Sequence, residues 1–374
     1  MDLAWPEDLD RLRDEVLDFV VTATADLELI DDAWLRRPSK EFNKRLGNAG
    51  YIGLRWSPEY GGGGRSPIEH FVVMETLLLA GAPVSGAWFP DRQIGPVLLQ
   101  YGTEDQKQRW LPGIVAGDSS WAIGMSEPDA GSNVAGISTR ADLDGDVFIV
   151  NGQKIWTSGA ADADFCYLIC RTSSDGPPHK GLSELVVDMS LPGIEVAAIH
   201  DSAWGDHFNE VFFDDVRVPA DCLIGEMNNT FAQTMRQLEH ERGGVDRLVS
   251  NKRLYLDVLP LADTSDPLVR QRVAAIETKY TIGRHLVLRN VLGQAPPGHS
   301  AIAKTFCTEF EQEVADFASH ILGPRATLAT DGELEGRVAR NVVYAPSYTI
   351  MGGTTQILRN IIGERVLGLP REPR

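Results

Sequence analysis

The sequence predicts an α+β multidomain protein with an N-terminal helical domain, a middle β-barrel or sandwich domain and a C-terminal four-helix bundle. Apolar residues recur at helical spacing in the first and last thirds of the chain, whereas the middle third holds short β-branched and aromatic runs between turn signals. A chain of 374 residues can bury a sizeable core in two or three domains. We therefore expect domains over residues 1–118, 119–225 and 226–374.

Helical periodicity predicts most of the first domain. The predicted helices cover residues 7–19, 33–49, 67–81 and 92–101. A glycine run at residues 61–64 interrupts the pattern, but no Gly-Lys-Ser/Thr element closes it. A phosphate-binding loop is therefore disfavoured.

Six strands are predicted in the middle domain, at residues 137–141, 147–150, 165–171, 183–188, 194–198 and 209–213. Asn151-Gly152 is the strongest short hairpin signal, so the strand that ends at Val150 should turn there and return through Lys154 to Ser158. No Gly-x-Gly-x-x-Gly element follows a strand, which disfavours a nicotinamide-binding Rossmann fold. After residue 231 the helical pattern resumes, with breaks at 263–267, 293–298 and 323–324 that fit a four-helix bundle.

Composition excludes several classes of function. The formal net charge of −18 argues against nucleic acid and anionic membranes as partners. No apolar run of about 18 residues predicts a membrane-spanning helix, and the acidic N-terminus does not resemble a secretory signal. The four cysteines show no Cys-x-x-Cys spacing and are interpreted as buried free thiols. We expect a cytoplasmic protein without a metal site.

Four motifs together resemble the acyl-CoA dehydrogenase family. They are MSEPDAGSN at 125–133 with KIWTS at 154–158, YGTEDQKQRWLP at 101–112, FDDVRVP at 213–219, and the segment 349–369. The motifs agree in order and spacing over nearly the whole chain. The resemblance implies the three-part fold, FAD as cofactor, and an oxidoreductase that removes hydrogen from the α and β carbons of an acyl-CoA thioester.

The resemblance also implies which residues contact the ligands. Six residues match cofactor-binding positions of the family: Met125, Ser126, Trp156, Ser158, Thr354 and Gln356. Trp156 should cover one face of the flavin ring, and Ser158 should reach toward N5. Ser132 matches a residue that contacts the CoA portion of the substrate.

The catalytic base departs from the commoner family pattern. Many members carry a glutamate in the C-terminal loop where this chain has Gly352. A second family position, on a helix, matches the stretch RQLEHERGG at 236–244, which assigns the base to Glu241 and places Arg242 beside it as a substrate-binding residue. Glu239 is the competing carboxylate, but two helix positions differ by about 200° in direction, so only one can face the flavin. The backbone N–H of Gly352 would still polarise the thioester carbonyl.

The same departures suggest a substrate class and partners. A loop without its carboxylate, together with Gly243 and Gly244, suggests a branched or bulky acyl group such as a steroid side chain, although these two glycines could equally ease helix packing. Residues 266–272 and 319–325 lack the family's Arg-x-x-Phe-Gly and Gln-x-x-Gly-Gly elements, which normally reach across a subunit interface. We expect a homo-oligomer or a heteromer with a second acyl-CoA dehydrogenase-like subunit, with an electron-transfer flavoprotein as acceptor.

Two alternatives stay open on sequence alone. A flavin acyl-CoA oxidase would share the fold and the cofactor and would use oxygen as the acceptor. A non-catalytic subunit of a heteromeric acyl-CoA dehydrogenase would keep the fold for assembly, and the missing loop glutamate favours it. DNA binding, known in one branch of the family, is disfavoured by the net charge of −18.

Overall fold

The computed structural model describes residues 6–27, 29–36, 38–330 and 332–371, without the side chains of His240 and Glu241. The helices are α1 Glu7–Ala23, α2 Lys40–Asn48, α3 Pro67–Leu79, α4 Ser85–Phe89, α5 Gly95–Tyr101, α6 Glu104–Val115, α7 Phe231–Arg242, α8 Asp246–Val249, α9 Lys252–Val258, α10 Pro267–Val291, α11 His299–Leu322, α12 Leu334–Tyr344 and α13 Thr355–Ile361. The strands are β1 Trp121–Gly124, β2 Arg140–Asp144, β3 Val147–Lys154, β4 Phe165–Arg171, β5 Leu182–Asp188, β6 Ile194–Ile199, β7 Phe208–Pro219 and β8 Leu223–Ile224. This helical, β, helical order confirms the predicted fold class.

Side-chain caps set the ends of several helices. At α3, the Ser66 hydroxyl accepts from the Glu69 N–H, and the Glu69 carboxylate accepts from the Ser66 N–H at 2.9 Å. At α2, the Ser39 hydroxyl accepts from the Phe42 N–H at 3.1 Å. This helix therefore begins at Lys40, and the predicted start near residue 33 was wrong.

The chain forms two compact units. One unit contains Met1–Ala33, Ser66–Ala82 and Glu239–Arg374, and the other contains Trp34–Arg65 and Pro83–Leu238. Each unit therefore draws on more than one of the three predicted sequence domains, whose boundaries stay a prediction.

The first unit is helical and is organised around α11. This helix packs against α8, α9, α10, α12 and α13. A buried polar network lies in its core: the Glu311 carboxylate accepts from the Asn251 N–H at 2.9 Å, Arg340 pairs with Asp32 at 3.1 Å, and the Tyr348 hydroxyl donates to Asp32. Burial, and secondarily the charge of Asp32, raises the pKa of Glu311 well above its usual range. Tyr348 ends this network four residues before Gly352, the first residue of the glycine loop at 352–353.

The second unit contains the sheet. Within the described residues the strands follow the order β6-β7-β3-β2-β4-β5-β8, and β1 pairs in parallel with β4. Strands β4 and β5 lie close to their predicted bounds and are buried along most of their length, β5 including the polar Ser183 and Glu184. The strand predicted at 137–141 lies at Arg140–Asp144, and β1 and β8 were not predicted as strands.

The hairpin predicted at Asn151-Gly152 was wrong. Strand β3 runs through both residues to Lys154, and its pairing with β7 shifts register between Val150 and Gly152. The hairpin turn between β2 and β3 lies instead at Gly145, which has a φ of 64°. Gly152 has a φ of 147°, and a Cβ there would lie 2.7 Å from the backbone of Thr139. The Asn-Gly pair therefore forms a bulge, and KIWTS leaves the sheet after its first residue.

Two further expectations concerned the state of the cysteines and the absence of a membrane-spanning helix. Cys166, Cys170, Cys222 and Cys307 are all free and buried, as expected. No helix within the described ranges combines the length and the apolar character needed to cross a membrane.

The bulge predicts how two glycine substitutions should differ. Gly152→Ala should lower the free energy of unfolding by about 2–4 kcal/mol, because its Cβ meets the Thr139 backbone. Gly145→Ala should cost only about 1–2 kcal/mol, since open space surrounds this turn residue and only its left-handed conformation is unfavourable. Denaturant unfolding of the two variants measures this difference. Equal losses would contradict the bulge and favour an exposed turn at Gly152.

Candidate active site

A buried ion pair organises the loop that follows β1. The Lys154 ammonium lies 2.7 Å from the Glu127 carboxylate, and the two residues are 0% and 5% exposed. Lys154 also donates to the Met125 carbonyl at 3.1 Å. The N–H groups of Ser138 and Thr139 donate to Glu127 at 2.6 and 2.8 Å. Glu127 thereby joins the loop to the end of β3 and to the segment before β2.

Electrostatics at this pair favour two charged groups. Burial alone would raise the pKa of Glu127, but the Lys154 ammonium and the hydrogen bonds from Thr139 and Ser138 lower it to about 2. Burial lowers the pKa of Lys154, and the neighbouring Glu127 opposes that effect. A pair of this kind is costly to break, because either partner alone would be a buried uncompensated charge.

Trp156 is an exposed indole on a fixed backbone. Its φ is 58°, which is rare for a bulky side chain, and the residue is 54% exposed. Hydrogen bonds fix the backbone on either side of it: Ile155 N–H donates to the Ser126 carbonyl at 2.9 Å, and Thr157 N–H donates to the Asn209 carbonyl at 2.9 Å. The Phe208 ring contacts the indole edge to face, with 5.7 Å between the centroids.

Four of the predicted cofactor residues belong to this region. Ser126 is bonded through its carbonyl to the residue before Trp156, and Ser158 is half-buried two residues further on. The carbonyls of Met125 and Ser126 are both engaged within the protein, so their N–H groups and the Ser126 hydroxyl are what they can offer to a ligand. Ser132, the predicted CoA contact, is exposed in the following turn.

In the helical unit, two buried cations hold the glycine loop. Gly352 and Gly353 have φ values of 66° and 98°, which glycine adopts without strain. Arg242 Nε donates to the Gly352 carbonyl at 3.1 Å, and Lys304 Nζ donates to the Gly353 and Tyr348 carbonyls at 2.9 and 3.2 Å. Arg242 is 8% exposed and Lys304 is fully buried. Among the described residues, none accepts a hydrogen bond from the Gly352 N–H.

The remaining predicted residues lie in the same unit. Glu241 immediately precedes Arg242 in α7, and its side chain lies outside the described part of the structure. Glu239 is exposed and lies 3.8 Å from the Arg365 guanidinium. Thr354 caps α13 by accepting from the Ile357 N–H at 3.2 Å, and Gln356 is exposed in the first turn of that helix.

Three models of one family match consecutive parts of this chain. The descriptions are "Acyl-CoA dehydrogenase, N-terminal domain" for residues 6–118, "middle domain" for 122–216 and "C-terminal domain" for 230–367. The chain belongs to the acyl-CoA dehydrogenase family.

Individual members of the family resemble the chain over most of its length. Acyl-CoA dehydrogenase IpdE1 of Mycobacterium tuberculosis is 35% identical over 90% of this chain and 89% of its own. The protein of the same name from Mycolicibacterium smegmatis is 34% identical over 89% and 88%. The solved structure "Tcur3481-Tcur3483 steroid ACAD" has a TM-score of 0.91, and the ChsE4-ChsE5 complex from M. tuberculosis has one of 0.87; each is 31% identical and covers 100% of both chains.

Membership of the acyl-CoA dehydrogenase family confirms the predicted enzyme class and cofactor. The protein is an FAD-binding oxidoreductase that acts on the CH–CH bond of an acyl-CoA. The residues present fit the flavin, because an exposed indole on a fixed backbone offers a flat apolar surface. Hydroxyl and N–H groups of Ser126 and Ser158 beside it suit the polar edge of the ring. The non-catalytic alternative is not favoured.

Sequence reasoning missed the residues that hold these loops in place. Glu127, Lys154 and Asn209 fix the loops around Trp156, and Lys304 fixes the glycine loop. Lys154 lies on the face of β3 that also carries the buried Phe148 and Val150, which is the signal that could have indicated a buried lysine there. The partners of Lys154 and Lys304 could not be identified, because those partners are distant in sequence.

The ion pair predicts an acid-dependent loss of stability. Because the pKa of Glu127 falls from 4.5 to about 2 on folding, its contribution is complete above pH 4.5 and is lost as the pH falls toward 2. Glu127→Gln should therefore cost about 3 kcal/mol or more at pH 7 and progressively less below pH 4.5. Thermal unfolding between pH 7 and pH 3 measures the change.

A surface ion pair supplies the matched control. Asp118 and Lys44 lie 3.2 Å apart with side chains that are 58% and 62% exposed, so Asp118→Asn should cost less than about 1 kcal/mol at every pH. A loss in Glu127→Gln that does not change between pH 7 and pH 3 would contradict a charged Glu127.

Proposed function

We propose that this acyl-CoA dehydrogenase oxidises a branched or bulky acyl group and that Glu241 on α7 removes the α-proton. The observation that supports this most strongly is the hydrogen bond from Arg242 Nε to the Gly352 carbonyl at 3.1 Å. It joins the end of α7 to the loop position where many family members carry their catalytic glutamate. Glu241 is the residue next to Arg242, so a carboxylate on α7 could replace the one that Gly352 lacks.

The competing carboxylate is less suitable. Glu239 is exposed to solvent and lies 3.8 Å from the Arg365 guanidinium. A base that removes an α-proton works better when water is excluded. The exposure of Glu239 therefore argues against Glu239 as the base.

The loop residues would stabilise the reacting thioester. The Gly352 N–H would donate to the thioester carbonyl, and the buried Arg242 and Lys304 keep the loop in place through its own carbonyls. Arg242 thus serves as a positioning residue in this proposal instead of the substrate contact that its sequence position suggested. When bound, FAD supplies the hydride acceptor. Met125, Ser126, Trp156, Ser158, Thr354 and Gln356 remain the proposed residues that hold it, and Ser132 the proposed CoA contact.

Gly352 and the relatives support the substrate class. A glycine where other members have a carboxylate leaves room for a larger acyl group, and one similar structure is titled a steroid ACAD. Gly243 does not add to this, because a Cβ there would lie 3.0–3.5 Å from the Asn290 side chain on α10. Gly243 therefore eases helix packing. A steroid side-chain thioester is the proposed substrate.

A matched pair of variants tests the base. Glu241→Gln should abolish reduction of bound FAD by a branched acyl-CoA under anaerobic conditions while the flavin remains bound, because the amide cannot accept the proton. Glu239→Gln should retain reduction at a rate within about threefold of the parent. Loss of the ~450 nm flavin absorbance in a stopped-flow experiment measures both. Rapid reduction in Glu241→Gln would refute the assignment.

We further propose that a second acyl-CoA dehydrogenase-like subunit completes the FAD site, that an electron-transfer flavoprotein accepts the electrons, and that the protein works in the cytoplasm. The arginines where the family has its interface element are engaged locally: Arg270 donates to the Thr264 carbonyl at 2.9 Å and Arg272 pairs with Asp316 at 2.6 Å. Two similar structures carry two protein names in their titles. The buried free cysteines suit a reducing compartment.

Flavin stoichiometry tests the second subunit. Expressed alone, the chain should contain less than about half an equivalent of FAD, because binding energy from the partner is missing. Co-expression with a second acyl-CoA dehydrogenase-like chain from the same genome should restore one equivalent per site, measured by absorbance after size-exclusion chromatography. A full equivalent in the chain alone, as a homo-oligomer, would contradict the heteromer.

A further inference from the structure

Asp32 is a buried carboxylate on a left-handed backbone. The residue is 3% exposed, and its φ is 56°. Burying a carboxylate costs free energy unless the group is paired and hydrogen-bonded. A residue other than glycine that is held in this conformation is a reason to look for a function. Neither the proposed base nor the proposed cofactor contacts include Asp32.

The Asp32 carboxylate holds the side chain of Tyr348. One of its oxygens accepts a hydrogen bond from the Tyr348 hydroxyl. The other oxygen lies 3.1 Å from the Arg340 guanidinium on α12, which supplies the opposite charge. Tyr348 is 1% exposed, so bulk water does not compete for its hydroxyl. The N-terminal segment of the helical unit therefore fixes a side chain in its C-terminal part.

Tyr348 is anchored at its other end by Lys304. The Tyr348 carbonyl accepts from Lys304 Nζ at 3.2 Å, and the same ammonium donates to the Gly353 carbonyl at 2.9 Å. Lys304 can bridge these two carbonyls only while Tyr348 keeps its place. A continuous set of contacts therefore runs from Asp32 to the glycine loop, entirely within the helical unit.

We infer that Asp32 is a positioning residue for the reaction, because through Tyr348 it fixes the loop that presents the Gly352 N–H to the thioester carbonyl. The inference rests on the proposed function, which gives this N–H its role. Such a donor is effective because it is already in place when charge develops on the oxygen. A displacement of about 1 Å can lower a rate by about 10²-fold.

The chain offers a matched control for each of the two side chains. Asp31 is also a buried carboxylate bound to α12, where it accepts from Arg337 at 2.8 and 2.9 Å, and within the described part of the chain it forms no hydrogen bond with Tyr348. Tyr280 is a buried tyrosine of the same unit, and its hydroxyl has no hydrogen-bond partner among the described residues. Asp31→Asn and Tyr280→Phe therefore leave the contacts to the glycine loop intact.

A chromophoric ligand measures the polarisation of the carbonyl without any reaction. Cinnamoyl-CoA is a conjugated enoyl thioester, and its absorbance moves to longer wavelength as its carbonyl accepts a stronger hydrogen bond. On binding to the FAD-loaded enzyme, with its partner subunit if one is required, it should show this shift. Tyr348→Phe and Asp32→Asn should reduce the shift by at least about half, and both controls should retain it.

Rates separate positioning from binding. Reduction of FAD by a saturating branched acyl-CoA should slow by at least about tenfold in Tyr348→Phe and in Asp32→Asn, whereas the Kd of cinnamoyl-CoA should change by less than about threefold. The controls should reduce FAD at the parent rate. Tyr348→Phe is the milder change, since it keeps the ion pair between Asp32 and Arg340, so it provides the test if Asp32→Asn does not fold.

Three results would overturn the inference. The first is an unchanged shift and rate in Tyr348→Phe, and the second is an equal loss in the two controls, which would indicate a general loosening of the core. The third is a parent enzyme that produces no shift, which would also remove the Gly352 N–H from the proposed function. Failure of the proposed base is separate, because the shift needs no proton transfer and Glu241→Gln is tested by FAD reduction.

Discussion

The hydrogen bond between Arg242 Nε and the Gly352 carbonyl, at 3.1 Å, is the contact on which the proposed chemistry depends. It fixes the end of α7 against a loop that has no carboxylate of its own. Lys304 fixes the same loop from α11 through the Gly353 and Tyr348 carbonyls. With its backbone held from two helices, the loop can keep a left-handed conformation that presents the Gly352 N–H in a constant direction.

In the sheet-containing unit, a buried cation likewise holds the backbone of a loop. Lys154 donates to the Met125 carbonyl, and its charge is balanced by Glu127 in the adjoining loop. In both units, therefore, a buried cation holds the backbone of a loop that is proposed to contact a ligand. Such cations are expensive to bury, and removing one partner of the pair is more costly still. The loops are consequently less free to move than exposed connections of similar length.

Periodicity predicted the elements whose burial follows a regular pattern. Strand β4 is an almost continuous apolar run, and α3 has both a capping box and a proline at its start, so each was predicted nearly at its observed bounds. The turn predicted at Asn151-Gly152 was wrong because β3 pairs with both β2 and β7 there, and this pairing overrides the local turn preference. The two-residue strand β8 is too short to produce a pattern of its own.

The candidate site was predictable where a motif keeps its residues close in sequence. Met125, Ser126, Trp156 and Ser158 lie in two short segments, and the structure joins these segments through the Ser126 carbonyl. Lys304 donates to the Gly353 carbonyl, which lies 49 residues later in the sequence, and only folding brings the two groups together.

Moving the carboxylate back to the loop would test the central claim most directly. In a Glu241→Gln background, Gly352→Glu restores an acid at the position that many family members use. We expect FAD reduction by a branched acyl-CoA to be absent in the single variant and partly recovered in the double variant, with bound flavin unchanged in both. No recovery in a double variant that keeps its FAD, or undiminished reduction in the single variant, would contradict a base that has moved from loop to helix.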